Sequence, residues 1–197
     1  MSASVSVALL DRSYGDERTY AAASIVKVSI LAALLDEGRP LSARERELAG
    51  AMIVRSDNDA ATALWEAIGG AAGLDAMHER LGLTQTRAES AWGLTRTTAR
   101  DQLTLIRAVF GGPYPYLRYL MRQAADGQNW GVSAAGGEWA LKNGWMPMSD
   151  TGLWVVLEGT DKAREKARNT RGTALAQGIR WAADQGADVI NLSLGDD

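Results

Sequence analysis

At Ala22 the apolar residues of this chain change period, and that switch constrains the fold more than any other feature. Upstream, Val5 to Asp11 alternates and then runs apolar before a Ser-Tyr-Gly-Asp turn, and Arg18 to Ala21 is placed to return as the second strand of a hairpin. Downstream, Ile25, Val28, Leu31, Ala32 and Leu35 recur at helical spacing until Gly38 and Pro40 stop the helix. Ser42 can cap a second helix that carries Leu48, Met52 and Ile53 and reaches Arg55. After a break at Ser56, a third helix is expected over Ala60 to Ile68, ended by Gly69 and Gly70, and a fourth over Gly73 to Leu81, ended by Gly82. A loop from Leu83 to Thr95 leads to a Thr97 or Thr98 cap and a helix with Leu103, Ile106 and Phe110, followed by a helix over Tyr116 to Ala125. Period-two patterning returns in Glu138 to Trp145 and Gly152 to Leu157, which read as adjacent strands. Strands that bracket a helical middle predict an α+β fold, an antiparallel sheet flanked by helices.

Three short strings fall at informative places in this plan. Ser24-Ile25-Val26-Lys27 lies where the extended segment becomes a helix, so the Ser24 hydroxyl is expected near backbone N–H groups that favour developing negative charge. Lys27 follows nearly one turn later, among apolar neighbours that can lower its pKa by desolvation and leave it a neutral general base. Ser56-Asp57-Asn58 interrupts two helical segments; its serine can relay a proton and its asparagine amide can donate to a substrate carbonyl. Lys142-Asn143-Gly144 sits in the late strand, where an inward-pointing cation needs an anionic partner such as a substrate carboxylate. Each string alone is equally a structural device: helix caps in the first two, a solubilising edge lysine in the third. Their order and coincident placements favour one acyl-transfer site.

Composition narrows the alternatives. With 197 residues, 46% of them hydrophobic, the chain suits one globular domain better than two. A net charge of -3 and a pI near 5.3 argue against nucleic acid or an anionic membrane as partner. The absence of cysteine excludes disulfides and thiolate catalysis, and a single histidine, His78, leaves only carboxylates as metal ligands, so no metal or other cofactor is implied. The first ten residues have no basic leader, and their apolar run is too short for a signal segment or a membrane span.

At the three strings the chain resembles the serine β-lactamase and penicillin-binding protein superfamily, and it is most similar to class A β-lactamase-like serine hydrolases over residues about 4–157. The run Ala51 to Leu64 that contains Ser56-Asp57-Asn58, followed by Ile68-Gly69-Gly70 and Gly73-Leu74, extends the likeness. The resemblance implies a sheet flanked by helices with a helical lobe, and an amide, ester or β-lactam substrate, small or peptide-like, that carries a carboxylate. It implies Ser24 as acylated nucleophile, Lys27 as base, Ser56 as proton relay, Asn58 as substrate ligand, Lys142 with Asn143 and Gly144 as carboxylate anchor, and Ser24 and Trp145 N–H groups as oxyanion hole. Two departures stand out. Asn143 replaces the usual central Thr or Ser, and in place of a Glu-x-x-Leu-Asn loop stands Arg87 to Thr95, whose one carboxylate, Glu89, reads as a candidate water activator or an exposed loop residue. Weak or absent β-lactam turnover is therefore expected, and the other reading is a catalytically silent scaffold with a structural or binding role. The resembled family is often exported; compartment and oligomeric state stay open.

The tail reads differently. Residues 172–195 resemble the helix-to-strand segment of subtilisin-like proteases: a helix ended by Gly186, then an apolar strand from Val189 to Leu194. No catalytic residue of that family accompanies it, and Asp150-Thr151-Gly152 copies its aspartate motif only by letters. The expected organisation is thus a β-lactamase-like domain over 1–157 and an atypical tail over 158–197, packed on the same domain, as in a hybrid or designed chain whose tail adds a strand at the sheet edge.

Overall fold

A computed structural model describes residues 3–8, 13–14, 18–126, 139–144 and 191–196. Its elements are strands β1 (Ala3–Ala8), β2 (Ser13–Tyr14) and β3 (Tyr20–Ala21), helices α1 (Lys27–Asp36), α2 (Ala43–Val54), α3 (Asn58–Ala67) and α4 (Gly70–Arg80), strand β4 (Arg96–Thr97), helices α5 (Ala99–Gly111) and α6 (Pro115–Met121), and strand β5 (Asn191–Asp196). This is the expected α+β class, with antiparallel strands and a helical lobe.

The lobe is organised around α1. Its sequence is apolar on every side, which a helix tolerates only when other elements surround it. Accordingly α1 packs against α2, α3, α4 and α6, and Ile30, Leu31, Ala32 and Leu34 have no solvent exposure. Met52 and Ile53 of α2, Ala61 and Leu64 of α3, Leu74 and Met77 of α4, and Leu117 and Met121 of α6 complete the core.

The helix starts follow from local chemistry. Ser42 and Glu45 form a reciprocal capping box on α2. Asp57 accepts from the Ala60 N–H, and Thr98 from that of Asp101. The fourth helix begins at Gly70 rather than Gly73, because Gly69 (φ 90°) and Gly70 (φ 65°) take the left-handed turn that lets α4 follow α3 at once. The third begins at Asn58 rather than Ala60, so the break is confined to Ser56 and Asp57. The last helix of the lobe ends at Met121, short of the expected Ala125.

Strand pairing departs further from expectation. The run over Ala3–Ala8 pairs with Ser13–Tyr14, whereas Tyr20–Ala21 crosses to Arg96–Thr97 in register Tyr20↔Thr97 and Ala21↔Arg96. A buried network rewards that crossing: Thr97 shares hydrogen bonds with Thr86 (2.9 Å) and Gln102 (2.9 Å), and Thr86 donates to Asp101 (2.6 Å). The tail strand pairs antiparallel with all six residues of β1, from Ala3↔Asp196 to Ala8↔Asn191, and gives the sheet order β2-β1-β5. Helix α5 covers this sheet, with Ala99 and Leu103 against Ala8. Residues 139–144 carry no strand assignment; their backbone is tied to the lobe by the Leu141 N–H, which donates to Met121 O at 3.0 Å. The expected strand over 152–157, the helix within 172–186 and the division near residue 157 lie outside the described residues.

Candidate active site

The segment before α1 is not the simple helix start expected of it. Residues Ala23–Val26 form a 3-10 turn, entered through Ala23 at φ 47°, an uncommon conformation for a residue with a Cβ. The tighter turn puts Ser24 and Lys27 on one side, three residues apart. Lys27 then opens α1 with 0% exposure, an amine at the base of the apolar helix.

Four acceptors surround that amine. Lys27 Nζ lies 2.9 Å from Ser24 Oγ, 2.8 Å from Ser56 O, 3.2 Å from Ser56 Oγ and 2.7 Å from Asn58 Oδ1. The break between α2 and α3 supplies two of them, because Ser56 has φ 59° and so turns both its carbonyl and its hydroxyl to one side, and Asn58, the first residue of α3, supplies another. Ser56 O and Asn58 Oδ1 can only accept, so they occupy two N–H groups. A neutral amine then has its lone pair left for the Ser24 hydroxyl proton. Burial lowers the Lys27 pKa from 10.5 to about 8, partly opposed by the nearby Asp57 carboxylate.

Lys142 joins the same hydroxyl from the other side. Its Nζ donates to Ser56 Oγ at 2.8 Å and to Asn143 O at 2.9 Å, which uses two of the three N–H groups of its charged form. Burial, and after it the charge on Lys27, lower the Lys142 pKa to about 7. Gly144 explains how residues 139–144 approach so closely: a Cβ there would lie 2.9 Å from Ala22 O, Ile25 N and Ile25 Cγ2. Only glycine lets this backbone lie against the Ser24 turn.

Ser24, Lys27, Ser56, Asn58, Lys142, Asn143 and Gly144 therefore meet in one place. Trp145 lies outside the described residues. Glu89 is exposed and takes no part in the cluster's hydrogen bonds. A different residue of its loop reaches the amine: the Trp92 ring centroid is 4.8 Å from Lys27 Nζ, and the indole N–H donates to Thr62 Oγ1 at 3.1 Å. The sequence marks Trp92 only as a member of a tryptophan-rich set, with Trp130, Trp139 and Trp145, suited to a cleft wall or to core packing. Its loop position carried no sign of the target.

The fold around this cluster is similar to that of solved class A β-lactamases and penicillin-binding proteins. A mutant of PBP-A, solved as its acyl-enzyme complex with penicillin G, is similar at 25% identity and TM-score 0.59, over 73% of this chain and 71% of that one. A class A β-lactamase from Mycobacterium abscessus is similar at 16% identity and TM-score 0.57, over 69% and 70%. A β-lactamase from Streptosporangium roseum is similar at 18% identity and TM-score 0.55, over 68% of each chain. The model of the Beta-lactamase enzyme family (Beta-lactamase2) matches residues 39–124, a segment that holds Ser56 and Asn58. Segment and fold together support the serine β-lactamase and penicillin-binding protein superfamily. The subtilisin-like resemblance of residues 172–195 receives no support from the comparisons. A search of curated proteins returns no match.

Proposed function

We propose that this protein forms an acyl-enzyme at Ser24 with an amide, ester or β-lactam substrate that carries a carboxylate. The superfamily supports a serine hydrolase-like, acyl-enzyme chemistry on small-molecule substrates at the coarse level; the residue roles are those the resemblance implies, and the hydrogen bonds around Lys27 and Lys142 support them. Neutral Lys27 takes the Ser24 proton as Ser24 Oγ bonds to the substrate carbonyl carbon. The C–N or C–O bond then breaks. The leaving atom receives the Ser56 proton, and Ser56 recovers one from Lys27, which ends neutral as it began. The Asn58 oxygen faces Lys27, so its amide N–H groups are the donors left for a substrate carbonyl. The third N–H of charged Lys142 serves the carboxylate, helped by Asn143. Gly144 brings that backbone against the Ser24 turn, and Trp145 N–H with that of Ser24 would complete the oxyanion hole.

The observation that carries this reading is one hydroxyl, Ser56 Oγ, shared by the buried Lys27 amine, which also holds Ser24 Oγ, and the half-buried Lys142 amine. A structural capping serine has no need of two lysines whose burial opposes their charge. Turnover is expected to be weak, because Glu89 is exposed and, among the described residues, no carboxylate accepts a hydrogen bond from Lys27 or Lys142. Labelling with a fluorescent penicillin and a fluorophosphonate tests the proposal: native protein takes up label, and Ser24→Ala does not. Equal labelling of both removes Ser24 from the role. No labelling of either favours the second reading, a silent scaffold of this fold, which rests on Asn143 and the exposed Glu89. The hybrid origin of the tail, with a division near residue 157, also remains a proposal. Among the described residues no helix is long and apolar enough to cross a membrane.

A further inference from the structure

The Lys27 amine has Ser24, Ser56 and Asn58 on its polar sides, and the Trp92 indole closes another. The indole is held firmly. Its N–H bonds Thr62 Oγ1 at 3.1 Å, and the Thr62 hydroxyl donates to Asn58 O at 3.1 Å, so Trp92 is pinned to the helix that supplies a Lys27 acceptor. Its short 3-10 turn, Trp92–Leu94, is tied to the Ser24 turn because the Ala22 N–H donates to Thr95 O at 2.8 Å, next to the β3–β4 pairing. The loop is closed at its base by Arg87 and Arg96, which exchange backbone hydrogen bonds of 2.8 and 2.9 Å. An exposed loop tip needs none of these restraints.

Release of an acyl group from Ser24 requires water to add its oxygen to the ester carbon and to give up a proton. The bond from that carbon to Ser24 Oγ then breaks, and Oγ recovers a proton as the free acid departs. Lys27 is the base that the cluster offers, and it has no exposed surface. We propose that Trp92 is a positioning and water-excluding residue, whose indole denies a hydrolytic water the open side of Lys27 and so makes the Ser24 acyl group long-lived. The inference rests on the acylation of Ser24 proposed above. It assigns the site to capture of its substrate, with slow release, rather than to rapid hydrolysis.

The test separates the two half-reactions by intact-protein mass after mixing with a penicillin, then after removal of the excess. In Trp92→Ala the adduct should be lost about tenfold faster or more. It should form no faster than in native protein, because water in place of the indole solvates the charged amine and reduces the share of free base. Trp92→Phe, which keeps an aromatic face, should fall between the two. Thr62→Val, which removes the pin and leaves the ring, should also shorten the adduct's life and gives the same split if Trp92→Ala does not fold. An unchanged release rate in Trp92→Ala and Thr62→Val overturns the shielding role, as does a parallel fall of formation and release, the mark of a merely loosened structure. Native protein that forms no adduct overturns the acylation reading itself, a different outcome from either.

Discussion

The protonation of the buried Lys27 and the half-buried Lys142 predicts an unusual pH profile. An ordinary lysine of pKa 10.5 is neutral in about one molecule in 3,000 at pH 7, whereas one lowered to about 8 is neutral in about one in eleven. Burial of Lys27 therefore raises the supply of free base about 300-fold. Lys142 imposes the opposite requirement, since it must keep its proton to hold a carboxylate, and its pKa is about 7. The working state has the higher-pKa amine neutral and the lower-pKa amine charged. Because the charge on Lys27 is one cause of the low Lys142 pKa, loss of the Lys27 proton helps Lys142 keep its own, and that state is most populated near pH 7.5, between the two values. The second-order acylation rate with an anionic substrate should therefore be bell-shaped about that pH, falling about tenfold per unit on each distant limb. At saturating substrate the bound carboxylate keeps Lys142 charged, so the alkaline limb should disappear and the rate should rise to a plateau. Stopped-flow acylation by a chromogenic β-lactam from pH 5.5 to 9.5 measures both. A rate that still climbs without a break up to pH 9.5 in both regimes contradicts this assignment, because the base would then be a lysine of ordinary pKa; a flat profile contradicts it too, because no titrating base would be in use.

Three further outcomes follow from other parts of the molecule. Gly144→Ala places a Cβ 2.9 Å from two backbone atoms of the Ser24 turn, and should cost about 1–3 kcal/mol in denaturant unfolding together with most of the acylation rate. His78 is buried with neither ring nitrogen hydrogen-bonded, and burial lowers its pKa from 6.5 despite the opposing pull of Asp75 and Asp101, with Arg87 adding to the fall. Below pH 6.5 the unfolded chain binds this proton and the folded chain does not, so stability should fall with pH from 6.5 until the folded pKa is passed, and thermal melting of His78→Leu should show a weaker dependence in that window. Removal of residues 191–197 strips β1 of its partner along all six residues, and should lower the melting temperature by several degrees; an unchanged value denies the tail strand a structural part.

Much of the lobe was legible because its signals are local. Ser42 with Glu45, Thr98 with Asp101, and the apolar spacing of α1 act within a turn or two. The spacing of Ser24 and Lys27 was legible for the same reason, although a 3-10 turn replaces the expected α-helical start, since Ala-Ser-Ile-Val satisfies either period over four residues. What could not be read depends on distant partners. Tyr20 pairs with Thr97 through a buried threonine network that no local pattern announces, so the expected hairpin return of Arg18 to Ala21 was misplaced. Positive φ at Ala23 and Ser56 has no sequence mark, because neither is glycine. In that loop the sequence singles out the carboxylate Glu89, yet Trp92 is the residue that reaches Lys27, because Thr62 and Thr95 hold the turn.

Covalent acylation of Ser24, with Lys27 as its base, is open to a direct test. Peptide mapping by mass spectrometry after brief exposure to penicillin G addresses it most directly. An adduct of the intact penicillin's mass is expected on the peptide that contains Ser24, absent from Ser24→Ala and strongly reduced in Lys27→Met. An adduct on another residue, or one that survives in Ser24→Ala, would contradict it.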